Sequence, residues 1–416
     1  MIPFADQLIR VLDAAMATQT EKAPVRLPLQ QALGLVLAED VHTTVALPGF
    51  DNSAMDGFAV RREDVLDATS EAPVRLRVVA DIPAGSGENP PLGPGECARI
   101  MTGSPVPGDA DAVVPFEKTV QGVDISDEAA TEVEVIEVPK PGANIRLAGE
   151  DAPAGALVGR TGDRLGARIL SGIAAAGVAE VTVHARPRVA VITTGDEVMA
   201  PGSALEYGQI FDSNTTLVAS LVAECDAEVA VQEHVGDGPR EFADALARAV
   251  EAEVDVIVTT GGVSVGAFDV VRLTFEGDPE VSGVSFDKVA MQPGKPQGFG
   301  KLPTGQLVFA LPGNPVSVFT SFEAFVKPTL SILATGEFSR TESSAIAVER
   351  WRTPPGRMQF MPVRFSQAGE VVRATSGGSG SHLVSRLSAA EAIALVPAEV
   401  EEVQPGDRLK IWEILP

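Results

Sequence analysis

Between residues 184 and 333, short unbroken apolar runs alternate with helix-patterned segments, and this alternation restricts the chain to few folds. The runs are Arg188-Val189-Ala190-Val191-Ile192, Glu228-Val229-Ala230-Val231, Asp255-Val256-Ile257-Val258 and Leu307-Val308-Phe309-Ala310-Leu311. They lack the polar alternation of a strand with one wet face, so they read as strands buried on both faces of a mainly parallel sheet. Between them, Leu217, Val218, Leu221 and Val222 form one helical stripe, and Phe242, Leu246, Ala249 and Val250 form another behind Pro239. The expectation is a doubly wound α/β domain over 184–333.

At 416 residues the chain exceeds one ordinary hydrophobic core, so further domains are expected. Residues 1–46 open with an amphipathic helix and carry a second helical pattern around 29–37. Residues 141–183 return to helix, richest in alanine at 168–176, and are expected to join 1–46 as a helical linking domain. The proline- and glycine-rich stretch 47–140, with alternating strands at 74–79 and 132–136, then becomes an inserted small β domain. Residues 338–416 read as a C-terminal small β domain of barrel-like kind.

The formal net charge of -25 sets up a field that repels polyanions, which argues against nucleic acid or anionic lipid as partners. Against that trend, Lys288, Lys295 and Lys301 fall close together and point to a local anion site, or to a solvated face. Two cysteines, Cys97 and Cys225, make no disulfide framework, and the histidines show no metal-ligand spacing, so a reducing cytoplasm is expected. The N-terminus lacks a basic leader pattern. The smoothest later run, 169–178, is interrupted by Ser171, Gly172 and Gly177 and is far short of the roughly 20 residues of a bilayer span. No membrane crossing is expected.

Three strand-to-loop transitions carry the polar residues, and in open α/β sheets such loops converge at the carboxyl ends of the strands. They are Thr193-Thr194-Gly195-Asp196-Glu197, the stretch from Thr259 through Gly261-Gly262-Val263-Ser264-Val265-Gly266 to Asp269, and Leu311-Pro312-Gly313-Asn314-Pro315-Val316-Ser317. Gly261, Gly262 and Gly266 lack a Cβ and can turn N–H groups toward an anion. Ser264 adds a hydroxyl, and a helix starting near Ala267 or Phe268 would aim its positive end there. A tight strand-to-helix turn explains the same glycines equally well. Asp196, Glu197 and Asp269 beside a phosphate cradle suggest Mg²⁺, with helix capping as the rival reading; for Asp237 a helix cap is the default. Lys288 and Lys295 flank a proline-glycine turn as point charges for oxyanions. Phe50-Asp51-Asn52-Ser53-Ala54-Met55-Asp56-Gly57, Arg99-Ile100-Met101-Thr102-Gly103 and Gly378-Ser379-Gly380-Ser381-His382 are each turn-like and weak alone.

In this order, and together with Pro293-Gly294-Lys295-Pro296, these segments resemble the molybdopterin molybdenumtransferase family, the bacterial MoeA type also found as the E domain of gephyrin. The resemblance implies a homodimer whose α/β domain binds adenylylated molybdopterin and, with Mg²⁺, inserts molybdate as the final step of molybdenum cofactor synthesis, releasing AMP. It marks Asp56, Thr102, Glu197, Asp237, Asp269, Lys288 and Ser381 as functional, with Asp56 and Thr102 acting across the dimer and Glu197 and Asp269 as the metal acids. Substrate contacts fall to Gly195, Asp196, Gly261, Gly262, Ser264, Gly266, Lys295, Pro312, Gly313, Asn314 and Ser317. An upstream adenylyltransferase is an implied partner. Family members often carry lysine where this chain has Gln292; Arg146, Arg357 and Arg364 are the candidate substitutes for that charge, or equally solvated surface residues. Two other readings stand beside it: an adenylyltransferase-like activity and a gephyrin-like scaffold.

Overall fold

The computed structural model describes residues 1–122, 131–263, 269–277, 279–375 and 384–414. The chain divides into two compact units, one of Arg26–Leu33 and Leu37–Thr182, the other of Met1–Val25, Gly34–Val36 and Val183–Pro416.

The unit of Leu37–Thr182 is built on a five-stranded sheet, ordered Ala112–Pro115, Gly57–Val60, Glu96–Ile100, Val74–Ile82, Glu132–Val135. Alternating side chains bury on both faces: Phe58, Val60, Leu76, Cys97 and Val114 on one, Ala59, Ile82, Ala98, Ile100 and Val113 on the other. Strand Val41–His42 pairs with Leu157–Gly159, which ties the entry of this unit to its exit. Helix is scarcer here than the sequence pattern suggests. The stretch 29–37 forms a 3-10 turn, Leu29–Gln31, and a short strand, Val36–Leu37. Pro28 holds extended backbone ahead of it, and Gly34 at φ +80° takes the left-handed conformation that ends a helix. Within 141–183 the α-helix is Ala167–Ala175, and positive-φ glycines at 149, 155 and 162 turn the chain between short strands.

In the other unit the α/β expectation is met. Label the strands β1 Arg188–Thr194, β2 Glu228–Val235, β3 Val256–Thr260, β4 Val284–Lys288, β5 Pro296–Lys301 and β6 Leu307–Leu311. Their order is β2-β1-β3-β6-β5-β4; the first four are parallel, and β5 and β4 add an antiparallel edge. Val189, Val191, Val256 and Val258 pack with Val218, Leu221 and Phe322 on one face. Ala190, Ile192 and Ile257 pack with Phe242, Leu246 and Phe275 on the other. Both faces are dry, which is why the runs carry no polar alternation.

The helical run Pro315–Thr335 is long and apolar enough to cross a bilayer, but 89% of its apolar window is buried inside the protein, so it is a core helix. It is a smoother apolar run than 169–178, and its Glu323 and Lys327 are paired within the fold. The N-terminal helix Phe4–Glu21 belongs to this unit too: Phe4 packs against Phe325, Phe360 and Trp412.

The C-terminal strands close into a ring. Met358–Gln367 pairs with Glu370–Arg373, then Glu342–Ala347, Arg408–Glu413 and Ala392–Val396 follow, and the last pairs back onto the first. Met361, Val363, Ala392, Ala394, Leu409 and Ile411 fill this small barrel. The opposite parity, Phe360, Ile393, Leu395 and Trp412, packs with the α/β core, so these strands are buried on both sides.

Candidate functional site

A cavity of about 690 Å³ opens at the carboxyl ends of β1, β3 and β6. The strand order reverses between β1 and β3, and open α/β sheets place their ligands at such a switch point. The three expected loops do meet here: Thr194, Gly195 and Glu197 follow β1, Gly261, Gly262, Val263 and Asp269 follow β3, and Pro312, Gly313, Asn314 and Ser317 follow β6. Asp237 joins from the end of β2. Ser264, Gly266 and Ser381 lie outside the described residues.

Local packing explains the glycines. Gly261 and Gly262 sit at φ +94° and +62°. A Cβ at 261 would lie 2.9 Å from the Thr194 carbonyl oxygen, and one at 262 would lie 2.9 Å from Val271 Cγ2. The Gly261 N–H donates to the Leu311 carbonyl at 3.2 Å, so it is committed to the neighbouring strand end rather than turned to an anion. Further anion-binding capacity comes from the helix that opens at Pro315, whose N-cap Asn314 makes no side-chain capping bond, and from Lys295 and Arg357 in the cavity wall.

Asp196, Glu197 and Asp237 are held differently from helix caps. Asp196 and Glu197 precede a short strand, Val198–Met199, and not a helix. The Asp237 N–H donates to Asp196 Oδ1 at 3.0 Å, and the Asp196 N–H to Asp237 Oδ2 at 3.4 Å, so the two loops clasp each other. The helix Pro239–Glu251 is capped at Gly238 without a side-chain bond, and Glu241 accepts from Gly236 N–H at 3.0 Å. Asp269 lines the cavity just ahead of helix Val270–Gly277. Among the described residues, no three His, Cys, Asp or Glu side chains gather closely enough to hold a metal ion by themselves.

The two lysines part company. Lys295 lines the cavity, whereas exposed Lys288 lies by a separate recess with Met1, Ile2 and Arg272. Lys288 pairs with Pro296 across the β4–β5 hairpin and Lys295 is the residue just before that strand, so the two are backbone neighbours whose side chains line different spaces. Of the three arginines, Arg357 reaches the cavity and donates from Nη1 to Gln292 Oε1 at 2.7 Å. Arg146 sits on a short strand of the other unit, and Arg364 is exposed on the barrel.

Sequence reasoning missed a polar knot beside the cavity. Asp212, 8% exposed, accepts from Thr193 Oγ1 at 3.1 Å, from Thr215 Oγ1 at 2.5 Å and from Thr215 N–H at 2.9 Å. Its signal is Phe211-Asp212-Ser213-Asn214, an Asx-type turn at a helix start. In the other unit, Asp56 Oδ1 accepts from Thr102 N–H and Thr102 Oγ1, both at 2.7 Å, and these bonds hold its carboxyl below the usual carboxylate range. Gly57 closes that motif because a Cβ there would meet the Val114 carbonyl oxygen at 2.1 Å. Burial pushes the Cys97 and Cys225 thiols up to about 12, so neither offers a thiolate near neutrality.

Fold and site define the class: an α/β protein with a small-molecule cavity at the switch point of its sheet, bordered by a small β barrel. Residues 2–177 match the MoeA N-terminal region (domain I and II), 190–331 a probable molybdopterin binding domain, and 344–414 the MoeA C-terminal region (domain IV). The chain is 42% identical over 398 residues to molybdopterin molybdenumtransferase 2 of Mycobacterium tuberculosis, covering 94% of this chain and 95% of that one. It is 33% identical to the molybdopterin molybdenumtransferase of Haemophilus influenzae, covering 96% and 97%. The crystal structure of a molybdopterin biosynthesis MoeA protein from Pyrococcus superposes with a TM-score of 0.78 at 31% identity, covering 99% of each chain. The chain belongs to the molybdopterin molybdenumtransferase family.

Proposed function

We propose that this protein inserts molybdate into adenylylated molybdopterin and releases AMP, the last step of molybdenum cofactor synthesis. The observation that carries the reading is the cavity itself: it is lined mostly from the segment matching a molybdopterin binding domain, and there Lys295, a helix N-terminus and the carboxylates of Glu197, Asp237 and Asp269 share one space with Arg357 from the C-terminal region. Such a space suits a phosphate-bearing substrate and an oxyanion together. Insertion replaces one molybdate oxygen by the two dithiolene sulfurs; that oxygen leaves as water with the two thiol protons. Water adds to the phosphoanhydride, AMP departs, and the molybdopterin phosphate remains.

Arg357, aimed by Gln292, and Lys295 hold the oxyanion in this reading, so the charge a lysine at 292 would bring is supplied by the arginine. Arg357→Ala is expected to raise the molybdate concentration at half-saturation at least ten-fold, measured by AMP release against molybdate. An unchanged value sinks this assignment. Glu197 and Asp269 are the acids proposed for Mg²⁺. With no three-ligand protein cluster among the described residues, the ion would be held jointly with phosphate oxygens, as hard cations commonly are at one or two carboxylates. Mg²⁺ there would neutralise phosphate charge.

The chain acts in this reading as a cytoplasmic homodimer fed by an upstream adenylyltransferase, with Asp56 and Thr102 of the partner subunit completing the site. The exposure of Phe50 and Met55 beside an ionised Asp56 supports that role. AMP as the nucleotide product separates insertion from adenylyl transfer, which would release pyrophosphate.

A further inference from the structure

One stretch of the cavity wall is unlike the rest. Ile210 and Phe211 line the same space as Lys295 and Arg357, yet they stand 55% and 47% exposed. A large apolar side chain left wet in a polar cavity forgoes its burial free energy unless something covers it.

The backbone beneath them is pinned. The Ile210 N–H donates to the Glu197 carbonyl and the Asp212 N–H to the Met199 carbonyl, both at 2.8 Å, on either side of Phe211. Asp212 is then locked by Thr193 and Thr215. The buried carboxylate thus holds the aromatic residue before it at the cavity edge. Rigid support under an exposed ring is what a stacking platform requires, because the ligand then finds the ring already placed.

We propose that Phe211, flanked by Ile210, is the platform on which a planar heteroaromatic ring of the phosphorylated substrate stacks, a purine or a pterin. The cationic groups and helix N-terminus take the anionic part, and the apolar edge takes the flat part. A cavity of about 690 Å³ is of the size that accommodates a nucleotide-like ligand. This assignment rests on the proposed function and names the recognition element for its ring.

The test is calorimetric titration of the full-length protein with AMP, with ribose 5-phosphate and with molybdopterin, comparing wild type with Phe211→Ala, Phe211→Leu and Phe211→Tyr. Near-ultraviolet circular dichroism checks that each variant is folded. Phe211→Ala and Phe211→Leu are expected to weaken AMP roughly ten-fold to a hundred-fold while leaving ribose 5-phosphate unchanged, and Phe211→Tyr to restore wild-type affinity. Loss confined to molybdopterin would show that the stacked ring is the pterin, and the platform stands. Unchanged affinity for both ring-bearing ligands, a parallel loss for ribose 5-phosphate, or full binding by Phe211→Leu would overturn it. A wild-type protein that binds none of the three would instead refute the proposed function, and the platform with it.

Discussion

At Asp56 two short hydrogen bonds from one residue keep an exposed carboxylate ionised. Its folded pKa lies below the unfolded one, so its small stabilising effect is present above the ordinary carboxylate pKa and fades as pH falls through the folded value. Thr102→Val removes the hydroxyl donor, and a carbon-detected NMR titration is expected to show the Asp56 pKa rising, with Thr102→Ser close to wild type; no rise would remove Thr102 from this role. Gly261 makes a second residue-scale case. Its left-handed backbone and the 2.9 Å approach a Cβ would make to the Thr194 carbonyl predict that Gly261→Ala lowers stability by about 1–3 kcal/mol in urea denaturation. The sequence marked this glycine as important, but for approach to a ligand. That the residue answers to a neighbouring strand, and that its N–H is already spent on Leu311, depends on tertiary contacts which spacing along the chain does not record.

Among the elements, the buried helix Pro315–Thr335 is joined to the barrel through Glu323. This carboxylate, 2% exposed, pairs with Lys327 at 3.0 Å and with Arg340 at 3.5 Å. Arg340 also donates to the Glu323 carbonyl and lies 3.8 Å from the Trp412 ring centroid. Glu323→Ala removes the nearest anion of the largely buried Arg340, and a loss of about 3–5 kcal/mol is expected in chemical denaturation. A loss below about 1 kcal/mol would show the network to be dispensable. The α/β strands were legible because burial on both faces writes an unbroken apolar run. The 29–37 stretch was misread as helix because its leucines and alanine satisfy helical spacing while Pro28 and Gly34 set the backbone. Lys288 and Lys295 are neighbours along the hairpin, but which space each side chain lines is invisible in a linear spacing.

For the whole molecule, the ordered set of motifs revealed the family even though each was weak by itself, and similarity over nearly the full chain now establishes it. What the motifs did not reveal was Arg357 bonded to Gln292, or the Asp212 knot, since both unite residues from separate segments. The function proposed for the assembled protein makes one direct demand. Purified protein given adenylylated molybdopterin, molybdate and Mg²⁺ should release one AMP for each molybdenum bound to the pterin, with Asp269→Ala folded but inactive. Release of pyrophosphate, no nucleotide release at all, or a fully active Asp269→Ala protein would contradict the account.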